Sequence, residues 1–268
     1  MMKNFVYVCR ELLENRERIL RLARYEQRAK NSGTILGRMW DFLTPVLQIC
    51  VYWFVFSVGM KMRTMDGETP YAVWMMTGMM PWFCLSAAMQ ASANAINSAH
   101  MVVKNLHIPL TIIPAKTVVI HLTEHLWTMG FLVFVLLVSG VQVTVYWLQT
   151  IYFFLCMVIF LMAFALAASA VGAVVKDFSR LLAPIIRLLF YVSSVILSLD
   201  GMSPKMQTLL KINPLTYIIM GYRNSLLYGV GFWEMRWHSL CFWVVTLLLL
   251  LIGCTLHMRT RERYVDLL

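Results

Sequence analysis

The chain has 268 residues, 60% hydrophobic and 13% charged, with a mean hydropathy of +0.70 and a formal net charge of +10. Soluble domains carry roughly 25% charged residues, so a soluble enzyme is excluded and most side chains must face lipid or other helices. The basic residues gather outside the long apolar runs, which points to a membrane surface and away from nucleic acid.

Residues 1–35 alternate apolar and charged positions at helical spacing. Phe5, Val8, Leu12, Ile19 and Ala23 mark one face, and Arg10, Glu14, Arg18 and Arg21 the other. This predicts an amphipathic helix lying in the headgroup plane, in preference to a solvated helix. Its charged start lacks the apolar core of a secretory signal.

The first apolar run comes next. From Leu43 to Met60 there are 18 residues and no ionised side chain, close to the ~20 that a spanning helix needs. Arg38 and Trp40 flank one end and Lys61 and Arg63 the other. Pro45 is expected in the first turn, where its missing N–H costs little.

Five further runs give expected spans at 71–97, 113–138, 145–175, 181–199 and 237–258. In the fourth, Ala165, Ser169 and Ala173 share a face as a small-xxx-small stripe. Residues 200–236 are apolar but broken by Asn213-Pro214, Gly221, Gly229 and Gly231. A re-entrant helical hairpin on the outer side fits them. The expected architecture is an all-α polytopic membrane protein with six transmembrane helices. With both termini in the cytoplasm, 17 of the 23 Lys and Arg residues fall inside, as the positive-inside rule favours.

Motifs for chemistry are few. Residues 33–38, GTILGR, lack the ending of a phosphate-binding loop, so no ATP site is expected in the chain. The six cysteines form no CxxC and read as packing residues. His121-Leu122-Thr123-Glu124-His125 matches the H-x-x-E-H zinc-peptidase pattern, with the two imidazoles at i,i+4 and no recognisable third ligand. An intramembrane zinc hydrolase is therefore a remote alternative, and no metal site is expected. Glu124 is the one carboxylate in the third expected span, where a lone charge is costly. It reads as a structural ion pair or as part of a wet transport path. Arg187 either snorkels to the headgroups or meets an anionic group of a substrate. Tyr52, Phe56 and Trp82 read as packing or as a lining on which sugar rings could stack. The loop 98–109 reads equally as a plain connection or as a short helix docking on a partner.

Three strings carry a resemblance. Leu36-Gly37-Arg38-Met39-Trp40 with Leu43-Thr44-Pro45, Lys176-Asp177 after the fourth run, and Ile212-Asn213-Pro214 leading to Gly221-Tyr222-Arg223-Asn224-Ser225-Leu226-Leu227 occur in order. Together they resemble the ABC-2-type permeases of polysaccharide exporters. The likeness is nearest to the wall teichoic acid branch, and the O-antigen and capsule permeases are also similar. The resemblance implies a non-enzymatic subunit in a bacterial plasma membrane. It pairs with a second copy of itself and with two cytosolic ABC ATPase subunits, which hold the ATP and Mg. The cargo it implies is an undecaprenyl-diphosphate-linked polymer, teichoic acid in the nearest branch. Loop 98–109 then resembles the coupling helix, with His100, Lys104, Asn105 and His107 as ATPase contacts. Arg28, Lys30 and Arg38 become headgroup candidates, and Tyr52, Phe56, Trp82, Glu124 and Arg187 channel-lining candidates.

Overall fold

The structure is a computed structural model that describes residues 2–30, 32–37, 39–59, 64, 69–99, 108–196 and 203–265. Among these residues the regular structure is helical, with no strand.

The amphipathic leader is two helices, α1 (Met2–Glu14) and α2 (Arg16–Lys30). Asn15 separates them. Its side-chain amide donates to the Glu11 carbonyl at 2.8 Å, and its own carbonyl accepts from the Ile19 N–H at 3.0 Å. α1 sets Val8 against Leu166 and Cys254, and α2 sets Ile19 against Ile112 and Ala115. Withdrawing each of these side chains from the aqueous interface contributes roughly 1.5–3 kcal/mol.

α3 (Met39–Trp53) continues into a π-helical turn, Phe54–Gly59. It starts a turn before the expected span, so Pro45 lies in the helix interior and removes the N–H that would reach the Asp41 carbonyl. α4 (Tyr71–Ser98), α5 (Ile112–Val138) and α6 (Gln149–Val174, led by the 3-10 turn Val145–Leu148) match their expected spans closely. α7 is Phe178–Val192 and α10 is Arg236–Val265. Five helical stretches among the described residues are long and apolar enough to cross a membrane: Met39–Phe56, Tyr71–Ser98, Ile112–Val138, Val145–Val174 and Phe232–Arg261.

α7 differs from its expected span, 181–199. It has 15 residues, which rise about 22 Å, short of the ~30 Å hydrocarbon core. Its neighbours nevertheless show how far the chain travels. Gln90 of α4 donates to the Ser179 carbonyl at 2.9 Å, and the Tyr71 hydroxyl at the other end of α4 donates to the Ile196 carbonyl at 3.2 Å. Residues 71 and 90 are separated by about 28 Å along a helix axis. α7 and the turn after it therefore run the depth of the bundle.

α4 is the central element. Most of it is buried, packed against α5, α6 and α7 and against α9 (Pro214–Arg223). Ala165 and Ser169 of the small-residue stripe are buried, and the tightest crossing lies just beyond them. A Cβ on Gly172 would sit 1.8 Å from the Ala93 carbonyl oxygen, and Asn97 donates across the crossing to the Gly172 carbonyl at 2.8 Å. Helices in lipid gain by this kind of close approach because apolar burial alone does not drive them together.

The stretch before α10 is broken, as expected. It holds α8 (Pro204–Lys211), α9, a π turn Asn224–Tyr228 and a 3-10 turn Phe232–Met235. α9 has 10 residues, too few to span. Gln149 at the start of α6 anchors this region. Its amide donates to the Val230 carbonyl at 2.6 Å and its oxygen accepts from the Phe232 N–H at 3.0 Å. At the opposite end of the bundle, Arg261 donates to Glu11 at 2.9 Å and to the Tyr7 hydroxyl at 3.1 Å. The first and last helices therefore meet on one side.

Candidate functional site

A cavity of about 790 Å³ opens between α3, α4, α5 and α7, with the end of α2 at its rim. The four helices contribute different chemistry. α3 supplies Asp41, Thr44, Gln48 and Tyr52; α4 supplies Trp82, Ser86 and Gln90; α5 supplies His121, Glu124 and Thr128; α7 supplies Arg187, Phe190 and Tyr191.

One wall is aromatic. The Phe190 ring lies 5.5 Å from Trp82, 5.6 Å from Tyr52 and 5.3 Å from Tyr191, centroid to centroid. Tilted and edge contacts at these distances are favourable and fix the rings against one another. Phe190 and Tyr191 follow Arg187 by three and four residues, so one helical face brings the cation and the rings to the cavity.

The rim is a charge cluster. Lys30 Nζ donates to Glu124 Oε1 at 2.8 Å and to Asp41 Oδ1 at 3.3 Å. His121 Nδ1 lies 2.9 Å from the other Glu124 oxygen. One ammonium thus ties α2, α3 and α5 together. Burial lowers the pKa of Lys30, but the hydrogen bonds and charges of Glu124 and Asp41 outweigh it and hold the value above the ordinary lysine range. A second pair of opposite sense, Lys116 with Glu26, joins the same two helices α2 and α5. With Glu26 and Lys30 on α2 facing Lys116 and Glu124 on α5, the charges fix both the direction and the register of α2.

The 213–223 motif fastens the broken helices before α10 to the bundle. The Asn213 side chain caps α9 by accepting from the Leu215 N–H at 3.0 Å, with Pro214 in the first turn, and it donates to Ser193 Oγ at 2.8 Å. The Tyr222 hydroxyl lies 3.0 Å from His125 Nε2 on α5. The buried Arg223 guanidinium donates to the carbonyls of Ser194 and Val195 and, at 3.3 Å, of Trp74, and it lies 3.5 Å from the Trp74 ring centroid. Ser194 has φ 58, an unusual backbone for a residue other than glycine. Arg223 holds this turn in place. A Cβ on Gly78 would lie 2.2 Å from the guanidinium, so glycine is what leaves room for it.

The structure sorts the expected site residues. Tyr52, Trp82, Glu124, Arg187 and Lys30 all line the cavity. Phe56 does not: in an unbroken α-helix it would share a face with Tyr52, but the π turn from Phe54 redirects it, and it packs on Tyr71 at 5.6 Å. Lys30 is held by two carboxylates, which alters its expected role as a headgroup ligand. Arg28 is exposed and is not part of the lining. Arg38, His100, Lys104, Asn105 and His107 lie outside the described residues. Asp41, Gln48, Gln90, Phe190 and Tyr191 join the lining without having stood out in the sequence. The H-x-x-E-H string does not assemble a metal centre: His121 bonds Glu124, while His125 stacks on Phe154 and bonds Tyr222. Among the described residues no three His, Cys, Asp or Glu side chains converge on a metal position.

A helical bundle with five stretches long and apolar enough to span a membrane among the described residues, and a mixed-polarity cavity between four of its helices, suits a membrane transport subunit. Residues 18–227 match the family model for the ABC-2 type transporter, and the chain belongs to that family. It is 21% identical over 242 residues to the O-antigen export system permease protein RfbA of Klebsiella pneumoniae, covering 90% of this chain and 91% of that protein. A protein of the same name from Myxococcus xanthus is 22% identical over 220 residues, covering 81% of this chain and 83% of its own length. The chain is therefore a multi-pass permease, a transport component and not itself a catalyst, and its family implies an ABC ATPase partner.

Proposed function

We propose that the chain is the membrane subunit of an ATP-driven exporter that moves an undecaprenyl-diphosphate-linked polysaccharide outward across a bacterial plasma membrane. The cavity between α3, α4, α5 and α7 carries this reading. Its aromatic wall suits the apolar C–H faces of sugar rings. Its carboxylates, amides and hydroxyls suit their hydroxyl groups. The names of the relatives favour an O-antigen-type glycan over the teichoic acid polymer that the sequence resemblance put nearest.

Two copies of the chain pair so that their cavities share one conduit, and each copy receives one ATPase. Six crossings, with both termini cytoplasmic, agree with the contact between Arg261 and Glu11 at one end of the bundle. The 98–109 loop is the coupling element, with His100, Lys104, Asn105 and His107 as its contacts. Thr111, just past that loop, donates to the buried Glu11 at 2.5 Å, a route by which motion at the loop reaches α1. On ATP binding the ATPases close, and α3 and α7 shift to open the passage.

The test is reconstitution of the chain with its ATPase in vesicles, with a fluorescent lipid-linked glycan as cargo. ATP-dependent movement of the glycan supports the reading; ATP hydrolysis that moves no polymer contradicts it.

A further inference from the structure

The charge inventory of the cavity bears on which polymer can pass, provided the cavity is the cargo's passage, as the proposed function has it. Among the described residues, four side chains of full charge line it: Lys30, Arg187, Asp41 and Glu124. They sum to zero. They are also unevenly committed. Lys30 is engaged at 2.8 Å by Glu124 and at 3.3 Å by Asp41. Arg187 is exposed on α7 and makes no ion pair among the described residues. Of the described lining, one cation per copy is therefore left for an anionic cargo.

A polymer with a phosphate in every repeat would bring several negative charges into the depth of the bundle at once. Each needs a cation or several hydrogen-bond donors when it leaves bulk water. Here each would instead pass the carboxylates of Asp41 and Glu124, both of which contact Lys30. The same two carboxylates are favourable for a neutral glycan, because a carboxylate accepts strong hydrogen bonds from hydroxyl groups. Gln48 and Gln90 add donors and acceptors, and Tyr52 and the exposed Tyr191 add faces on which a ring can slide.

We infer that this cavity selects a polysaccharide without charge in its repeat, takes a single anionic group at Arg187, and rejects a poly(polyol phosphate). The diphosphate linking glycan to lipid fits the Arg187 guanidinium; a repeating phosphate does not.

The experiment compares two fluorescent cargoes with the same undecaprenyl-diphosphate anchor and similar length, an uncharged mannan and a poly(glycerol phosphate). Both are offered to the complete permease–ATPase complex in vesicles. The inference predicts that the wild type moves mannan at least 10-fold faster. It also predicts that the combined Asp41→Asn and Glu124→Gln variant, which frees Lys30, narrows the ratio to 3-fold or less. Equal rates in the wild type, or faster movement of the phosphate polymer, overturn the inference and leave the exporter reading standing. A variant that exports mannan with its preference unchanged overturns the assignment of selection to these carboxylates. If the wild type hydrolyses ATP and moves neither polymer, the exporter reading falls and this inference falls with it.

Discussion

The pairing of Lys30 with Glu124 can be tested by a double-mutant cycle. Lys30→Met removes the ammonium and keeps the aliphatic stem; Glu124→Gln removes the charge and keeps the shape. The Glu124 and Asp41 side chains are only 17% and 12% exposed, while Lys30 is 51% exposed. The coupling should therefore exceed the ~0.2–1 kcal/mol of fully exposed pairs. It should fall short of the ~3–5 kcal/mol lost when a buried pair is broken. Between those limits we expect about 1–2 kcal/mol. The assay is unfolding by SDS in mixed micelles, read across wild type, both single variants and the double. The double variant should be less destabilised than the two singles added together. The sign with pH follows from the raised pKa of Lys30. Its contribution is fully present below the unfolded lysine value near ~10.4 and is lost only as pH rises through the higher folded value. The Lys30 side of the coupling should thus stay flat between about pH 7 and 9. Additive effects of the two substitutions would refute the pairing and return Lys30 to the role of headgroup ligand.

The packing supplies three more tests. Gly172→Ala places a methyl 1.8 Å from the Ala93 carbonyl oxygen and forces α4 and α6 apart. It should cost about 1–3 kcal/mol or more in the same unfolding assay, while Gly130→Ala, with nothing within 4 Å of its Cβ, should be neutral or mildly stabilising. Asn213→Ala loses both the cap on α9 and the bond to Ser193. A loss of about 1–2 kcal/mol is expected, with faster amide hydrogen exchange in α9 and not in α5. Glu11→Gln weakens the acceptor that Thr111 and Arg261 share and should destabilise the docking of α1 by about 1–3 kcal/mol. Faster proteolytic cleavage within residues 2–30 would report it.

Much of the fold is legible in the sequence because its cause is local. Long uncharged runs have one physical home, and α4, α5 and α6 fall within a few residues of the expected bounds. The break at Asn15 is hidden because both halves of the leader keep a helical period. The hydrogen bond from Asn15 back to Glu11 marks where they separate. The expected span overshoots α7 because sequence shows an apolar run but not the Arg223 side chain, supplied from 28 residues away, that shapes the turn at Ser194 and Val195. The site is legible only in part. Glu124 stands out because a carboxylate in lipid demands a partner, but the partner is Lys30, 94 residues earlier. Gln48 and Gln90 carry no such penalty and give no signal. Phe56 reads equally as packing or as lining from its ring alone, and beyond the π turn at Phe54 it packs on Tyr71.

Whether cargo passes between α3, α4, α5 and α7 can be read most directly by photo-crosslinking. A benzophenone side chain is placed at Gln48, which lines the cavity, and separately at Trp127, which is 65% exposed on the outer face of α5. The complex is illuminated while it exports a labelled lipid-linked glycan. Capture of glycan at position 48 in an ATP-dependent manner, with lipid alone captured at 127, is the predicted result. Glycan captured at 127 and absent from 48 would contradict the account.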